Sequence, residues 1–255
     1  MFALALQSGS NGNCFYVEAS GVRLLFDAGI SGVQAEHRLK MFGRDIRRVD
    51  AVVISHDHND HVRCAGVLQR RYGLPIYATR ATLDAARRRC AIGDLEEFHP
   101  FRAGDALDFG VVRVETFPTP HDAADAAAFV VAHRDVRLGI LTDLGHVFAG
   151  LPEIVASLDA GFIESNYDPE MLANGPYPLF LQERIRGAGG HLSNVESAEL
   201  LRLAGSPDLR WVCLAHLSQN NNTPDIAIET HTRLCGSRRP LFAASRYEPT
   251  GPFTL

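Results

Sequence analysis

The segment SHDHNDH, residues 55–61, determines how the rest of the chain is interpreted. It follows an apolar run, Val52–Ile54, that is typical of a buried strand, and a helical pattern opens at its last histidine. His56 and His58 are two residues apart, so both side chains can point the same way from a strand end. Imidazole and carboxylate groups bind zinc, manganese or iron, so the segment predicts a catalytic site for two metal ions.

This segment resembles the HxHxDH motif of the metallo-β-lactamase superfamily, and the resemblance covers most of the chain. The family's other motif residues have counterparts in the runs LLFDAG, FPTPHDA, GILTDLG and CLAHLS, which argues against histidines placed by chance. The resemblance implies two divalent ions per chain, zinc or manganese with iron also possible, and an outer carboxylate, Asp27, that orients the ligands. The implied ligands are His56, His58 and His121 on one ion, Asp60, His61 and His216 on the other, and Asp143 bridging both.

The implied fold class is α/β (α+β), a four-layer αβ/βα sandwich with the metals at one edge of its two sheets. Alternating strand and helix patterns agree with it. Strands are predicted at 2–6, 14–18, 22–26, 52–54, 75–78, 111–117, 127–132, 136–141, 160–164, 211–215 and 241–244. Helices are predicted at 33–42, 62–72, 194–204 and 225–234, after Thr79 as far as the arginine run 87–89, and in two short pieces around Pro169 and Pro178.

Length and composition agree with one domain over residues 1–255, since 46% of the residues are hydrophobic and can form a full core. No apolar stretch is long enough to span a bilayer and no basic region precedes the first apolar run, so we expect a cytoplasmic protein without a membrane partner. The five cysteines form no CxxC pair, which favours reduced thiols. A net charge of -5 argues against nucleic acid, although bound metal ions would attract anions locally.

Five further segments resemble the WalJ branch of the superfamily, also called YycJ. Characterised members of that branch are DNA exonucleases that work from 5′ ends, so the resemblance implies a 5′-to-3′ exonuclease that prefers DNA to RNA. Ala126 and Ala128 depart from the branch, which typically has Pro and Gly in this loop. The matching segments are SGSNGNC at 8–14, ESNYD at 164–168, YPLFLQERI at 177–185, GGHLSN at 189–194 and AHLSQNNNTP at 215–224.

The expected mechanism is in-line displacement at phosphorus by a hydroxide that bridges the metals. Asp60 is predicted to accept a proton from the nucleophile. The GHLSN and HLS segments also resemble those of tRNA 3′-end nucleases, which implies that His191 is a catalytic helper that donates a proton to the leaving oxygen.

Two predicted helix N-termini flank these segments, one at the capping-box pattern SNVE and one at Thr223-Pro224. Free backbone N–H groups at such ends favour phosphate. The alternative, that the polar residues there are only caps and turn formers, stays open. The candidate phosphate or sugar contacts are Ser193, Asn194, Ser218, Asn221 and Asn222.

A small-molecule metallo-hydrolase acting on a thioester, lactone or β-lactam is the alternative function, because the same metals can polarise a carbonyl. A di-iron redox protein needs a carboxylate where His58 stands and a flavin partner, so no flavin is expected. The arginine run 87–89, Arg184 with Arg186, and Arg238 with Arg239 are interpreted as surface charge or as contacts to DNA. The oligomeric state is left open. The histidines interpreted as structural are His37, His99, His133, His146 and His231.

Overall fold

The computed structural model describes residues 1–236 and 239–255, so the prediction for Arg238 lies outside the described residues. The strands are β1 Phe2–Gln7, β2 Cys14–Ala19, β3 Val22–Phe26, β4 Ala51–Val53, β5 Ile76–Thr79, β6 Phe98–Phe101, β7 Ala106–Phe109, β8 Val112–Pro118, β9 Ala127–His133, β10 Val136–Leu141, β11 Ala160–Glu164, β12 Trp211–Ala215, β13 Leu241–Ala243 and β14 Thr250–Thr254. The helices are α1 Gly32–Met41, α2 Asn59–Val62, α3 Ala65–Tyr72, α4 Arg80–Arg89, α5 Leu151–Ala156, α6 Pro169–Asn174, α7 Leu179–Arg186, α8 Asn194–Ala204 and α9 Pro224–Cys235, with a 3-10 helix at Ile46–Arg48.

The strands form two mixed seven-stranded sheets, in the orders β14-β1-β2-β3-β4-β5-β6 and β13-β12-β11-β10-β9-β8-β7. The described chain divides into two compact units. The first comprises Met1–Pro118, Ala123–Ala127 and Ser245–Thr254, and the second comprises Thr119–Asp122, Ala128–Ala244 and Leu255. The expectation of a single domain over residues 1–255 stays a prediction.

In the first unit, β1, β2 and β3 pair antiparallel, whereas β3, β4, β5 and β6 run parallel. Helices α1, α3 and α4 bury an apolar side against this sheet, and the shared core includes Leu25, Leu39, Val52, Leu68 and Ala86. Parallel strands end at the same edge of a sheet. The segments that follow β3 and β4 therefore leave the sheet side by side, and these segments carry Asp27 and SHDHNDH.

In the second unit, β10, β11 and β12 run parallel in register, with Leu141 opposite Ile163 and Glu164 opposite Ala215. The polar residues that end or follow these strands consequently share one edge. Phe162 and Trp211 pack edge-on with ring centroids 5.4 Å apart and help to hold the central strands together.

The predicted helix 62–72 is wrong at its N-terminal end, because the structure has two helices, α2 and α3, separated at Arg63 and Cys64. The backbone hydrogen bonds explain the break. The N–H of Cys64 donates to the carbonyl of Ala28, and the carbonyl of Asp60 accepts from the N–H of Asn13. Both groups would otherwise pair with each other in a continuous helix, so the segment after the histidine motif is fixed to its neighbours instead.

Three strands that the sequence did not predict, β6, β7 and β14, lie at sheet edges. The short helix α5 was also missed. The other predicted strands agree with the structure to within two residues at each end, as do α1, α4, α8 and α9. Across residues 1–236 and 239–255, the structure contains no helix with the length and apolar character needed to span a membrane. All five cysteines are free thiols.

Candidate metal centre

In the first unit, the buried carboxylate of Asp27 makes several hydrogen bonds to the histidine motif. Its carboxylate accepts hydrogen bonds from the backbone N–H of Ser55 at 2.8 Å and from the Ser55 hydroxyl at 3.0 Å. The Nδ1 atom of His61 lies 2.7 Å from the same carboxylate. This pairing places the ring proton on Nδ1 and leaves the lone pair on Nε2, which is the tautomer needed for metal binding.

The imidazoles of the motif lie close together, with their ring planes at an angle to one another. The His56 ring centroid lies 4.7 Å from that of His58 and 4.1 Å from that of His61. Asp60 approaches the same place, with Oδ2 3.3 Å from Nε2 of His61. The Asn13 amide lies 3.2 Å from Asp60 Oδ2 and 3.0 Å from His61 Nε2, so SGSNGNC supports these two side chains.

The buried carboxylate of Asp57, between His56 and His58, ties the motif to another loop. Its Oδ1 accepts from the backbone N–H of Ala124 at 2.8 Å, and its Oδ2 lies 2.9 Å from a guanidinium nitrogen of Arg89. Arg89 therefore neutralises a buried charge, which is a more specific role than the solvated surface arginine predicted from sequence. A buried carboxylate needs such a partner.

In the second unit, Asp143 is surrounded by three imidazoles. Its Oδ1 lies 3.5 Å from Nε2 of His121, 3.7 Å from Nδ1 of His191 and 3.6 Å from Nδ1 of His216. Asp143, His121 and His216 are buried, and His191 is partly exposed. This unit thus brings together four residues that the sequence analysis assigned to the site.

Glu164 is the residue that the sequence analysis missed as part of the site. Its fully buried carboxylate accepts from Nδ1 of His191 at 2.7 Å and from the backbone N–H of Leu144 at 2.9 Å. Burial alone would raise the pKa of Glu164, but the charge of His191 and hydrogen bonds from His191 and His216 outweigh it and hold the pKa at about 2. Glu164 is therefore ionised and fixes which ring nitrogen of His191 carries a proton.

His121 and His216 are each oriented by a neighbour. His121 Nδ1 donates to the carbonyl of Gly190 at 2.9 Å, and burial lowers the pKa of His121, which favours the neutral, metal-binding imidazole. The Asn166 amide lies 3.1 Å from Nδ1 of His216 and donates to its carbonyl at 2.7 Å.

Three of these site residues have left-handed backbone conformations. Asp27, Asp143 and His216 have φ values of 65°, 58° and 57°. Each follows the end of a strand, and the conformation turns the chain sharply so that the side chain is held at the strand end. Such strain at non-glycine residues is concentrated at functional sites.

The predicted substrate contacts lie in the same unit but their side chains are buried and largely engaged within the protein. The Ser193 hydroxyl caps α8 in a full capping box with Glu196. Asn194 and Asn222 bond to each other, and the Asn222 amide also donates to the carbonyls of Ser165 and Asn166. Ser218 and Asn221 share one hydrogen bond of 3.3 Å. Substrate contact by these five residues stays a prediction.

The donor chemistry fits divalent metal ions. Asp143, Glu164, His191 and His216 each offer a ligand atom, and these atoms all lie within 4.8 Å of one another. Imidazoles with a proton fixed on one nitrogen, beside ionised carboxylates, are the usual ligands of zinc, manganese and iron. Within this group, Asp143 and His216 therefore suit a divalent cation, and Glu164 is bonded to His191 beside them.

Comparison with known proteins agrees with this chemistry. The family model described as the β-lactamase superfamily domain matches residues 22–216, so the chain belongs to the β-lactamase superfamily. The metallo-β-lactamase fold protein YhfI from Bacillus subtilis, 16% identical, matches with a TM-score of 0.74 and covers 98% of both chains. This likeness confirms the fold expected from the sequence.

Within the superfamily, the chain falls in the WalJ and YycJ branch. It is 37% identical over 225 residues to the exodeoxyribonuclease WalJ of Streptococcus pneumoniae serotype 2 (strain D39), covering 87% of this chain and 83% of that protein. It is 34% identical over 222 residues to the exodeoxyribonuclease YycJ of Bacillus anthracis, covering 87% and 84%. The branch assignment made from sequence segments is confirmed.

Proposed function

We propose that this protein is a metal-dependent nuclease, and most specifically a 5′-to-3′ exonuclease acting on DNA. The observation that carries the proposal is the likeness over 87% of the chain to two relatives that are named exodeoxyribonucleases. The cluster of oriented imidazoles and ionised carboxylates supports it, because such a set suits hydrolysis of a phosphodiester.

The proposed ligands are those of the family motif, divided as the sequence analysis divided them: His56, His58 and His121, then Asp60, His61 and His216, with Asp143 shared. Two zinc or manganese ions, with iron as a further possibility, would lower the pKa of bound water and stabilise negative charge on the attacking and leaving oxygens. Asp27 contributes by holding His61 in the required tautomer.

His191 is proposed to donate a proton to the leaving oxygen, and Glu164 is proposed to position it. The Glu164 carboxylate binds Nδ1 of His191, so Nε2 is the nitrogen directed toward substrate. A fixed, charged partner keeps the imidazole oriented for proton transfer. Asp60 is proposed to accept the proton that the attacking water loses.

The N-termini of α8 and α9 are proposed to lie along the bound strand. Both helices begin with a side-chain cap, from Ser193 and Thr223, and α8 starts three residues after His191. Their backbone N–H groups favour phosphate. Ser218, Asn221 and Asn222 are proposed to support this strand, either by direct contact or by holding the loops. A cytoplasmic location and the absence of membrane and flavin partners stay predictions.

The test is digestion of end-labelled DNA. Purified protein is incubated with manganese, and separately with zinc, and with double-stranded DNA that carries a 5′-phosphate or a 5′-hydroxyl; matched RNA runs in parallel. Release of mononucleotides from the 5′ end, absent with His58→Ala, supports the proposal. If a preparation shown to contain metal cleaves neither DNA nor RNA, the proposal is wrong and the small-molecule substrates become the leading alternative.

A further inference from the structure

The first turn of α7 carries two adjacent apolar side chains on the protein surface. Leu179 is 74% exposed and Phe180 is 71% exposed. We call these two residues the α7 tip. Exposing two large apolar side chains next to each other is unfavourable in water, so such a pair indicates a contact surface.

The α7 tip is held firmly. The nearly buried side chain of Gln182 donates to the carbonyl of Tyr177 at 2.9 Å, and its backbone N–H donates to the carbonyl of Pro178 at 3.1 Å. The Tyr177 hydroxyl accepts from the Asn220 amide at 3.2 Å. These hydrogen bonds hold the start of the helix in one conformation, so that the two side chains are preorganised for binding.

Helix α7 is also attached to the candidate metal centre of the second unit. The carbonyl of Ile185 accepts from the N–H of His191 at 2.9 Å, and Arg184 pairs at 2.5 Å with Asp122, which follows His121. Phe180 lies five residues before Ile185, a helical rise of about 8 Å.

We infer that the α7 tip is a stacking surface for the bases of the DNA strand being digested, with Phe180 as the stacking residue and Leu179 beside it. The inference rests on the proposed function. Aromatic side chains bind single-stranded DNA by stacking without regard to sequence, as an exonuclease needs. Stacking is independent of charge, which matters for a chain of net charge -5. Arg186 on the same helix is bonded to the neutral side chain of Gln182 and adds a positive charge for the phosphate backbone.

The experiment combines substitutions with abasic DNA. Steady-state KM and kcat are measured on a set of six 5′-phosphorylated duplexes. Each duplex carries a single abasic site, at one of the first six nucleotides from the 5′ end. The variants are Phe180→Ala, Phe180→Leu, Phe180→Trp and Leu179→Ala. The matched control is Leu203→Ala, which truncates an equally exposed side chain, 74%, in the last turn of α8.

We expect an abasic site at one position to raise the wild-type KM about tenfold, and Phe180→Ala to raise the KM on intact DNA by about the same factor. Phe180→Ala should then be insensitive to that abasic site. Phe180→Trp should resemble wild type and Phe180→Leu should resemble Phe180→Ala, because stacking needs an aromatic ring. Leu203→Ala should change nothing.

If Phe180→Ala keeps the wild-type KM and the wild-type abasic profile while wild type digests DNA, this inference alone is wrong. The same holds if the substitution changes only the molecular mass measured by light scattering, since the surface would then join copies of the chain. If wild type digests no DNA, the proposed function fails and the inference fails with it.

Discussion

Replacing Glu164 with Gln should separate orientation of His191 from metal binding. The carboxylate accepts hydrogen bonds from His191 Nδ1 at 2.7 Å, Leu144 N–H at 2.9 Å and Leu192 N–H at 3.4 Å, and Nδ1 of His216 lies 3.7 Å from it. Gln keeps the volume and one acceptor oxygen, which can still serve the backbone. Its NH2 group would face Nδ1 of His191, and this nitrogen would then have to accept a hydrogen bond instead of donating one.

The pKa of Glu164 is well below its ordinary value. Its value of about 2, against an ordinary value of 4.5, is a difference of about 2.5 units. Each unit corresponds to about 1.4 kcal/mol, so interactions that favour the carboxylate exceed its burial penalty by roughly 3 kcal/mol. Glu164 is fully buried, so solvent does not screen these interactions. This free energy describes how firmly Glu164 is held as a carboxylate, and the effect on kcat follows from the role of His191. A general acid contributes a factor of about 100 or more, and this factor is lost when the acid is no longer oriented.

We therefore expect Glu164→Gln to lower kcat on 5′-phosphorylated DNA by about 100-fold, with KM changed less than twofold. Metal content, measured by mass spectrometry, should equal that of wild type. Glu199→Gln is the control, because Glu199 pairs with Arg202 on the exposed side of α8. A Glu164→Gln enzyme with full metal content and at least half of the wild-type kcat would refute the positioning role.

Three other outcomes are expected. His58→Ala should abolish nuclease activity and reduce bound metal while leaving the far-UV circular dichroism unchanged; full activity would contradict the ligand assignment. Burial lowers the pKa of His231 from 6.5 to about 4. As the pH falls, the unfolded chain therefore takes up the proton first. The folded protein then loses stability between pH 6.5 and pH 4, by roughly 3 kcal/mol in total. Urea unfolding of the wild type at pH 6.5 and pH 4 should show this loss of stability, and His231→Gln should lose less. Equal losses in the two proteins would contradict the reasoning. Arg89→Ala should lower the free energy of unfolding by about 1–2 kcal/mol, because it leaves Asp57 buried without its cation. The value is kept small because the Arg89 side chain is 49% exposed. The control Arg88→Ala should have no effect.

Much of the fold could be predicted from the sequence, because the central strands are apolar runs bounded by polar turns. The missed strands are edge strands, where the pattern is weaker. β6 contains Pro100 and β14 contains Pro252, and proline is tolerated at sheet edges because one side of an edge strand has no ladder partner. The break between α2 and α3 depends on backbone partners distant in sequence, so no local pattern indicated it.

The sequence indicates candidate site residues where their spacing carries the signal. SHDHNDH shows its candidate ligands within seven residues, whereas Glu164 is 27 residues from His191. Their pairing appears only when the segment after β11 lies beside the segment before α8, where the N–H of Asn166 donates to the carbonyl of Leu192. One sequence pattern could have indicated Glu164. Asp27, Asp143 and Glu164 are all acids at the end of an apolar strand, and the sequence analysis used only the first two.

The left-handed backbone at Asp27, Asp143 and His216 has a consequence for the evolution of the chain. Each such residue costs roughly 1 kcal/mol or more that glycine would not cost. This cost is located at residues of the proposed site. A less strained backbone at these positions would require glycine, which carries no ligand, so the proposed chemistry and an unstrained backbone exclude each other there.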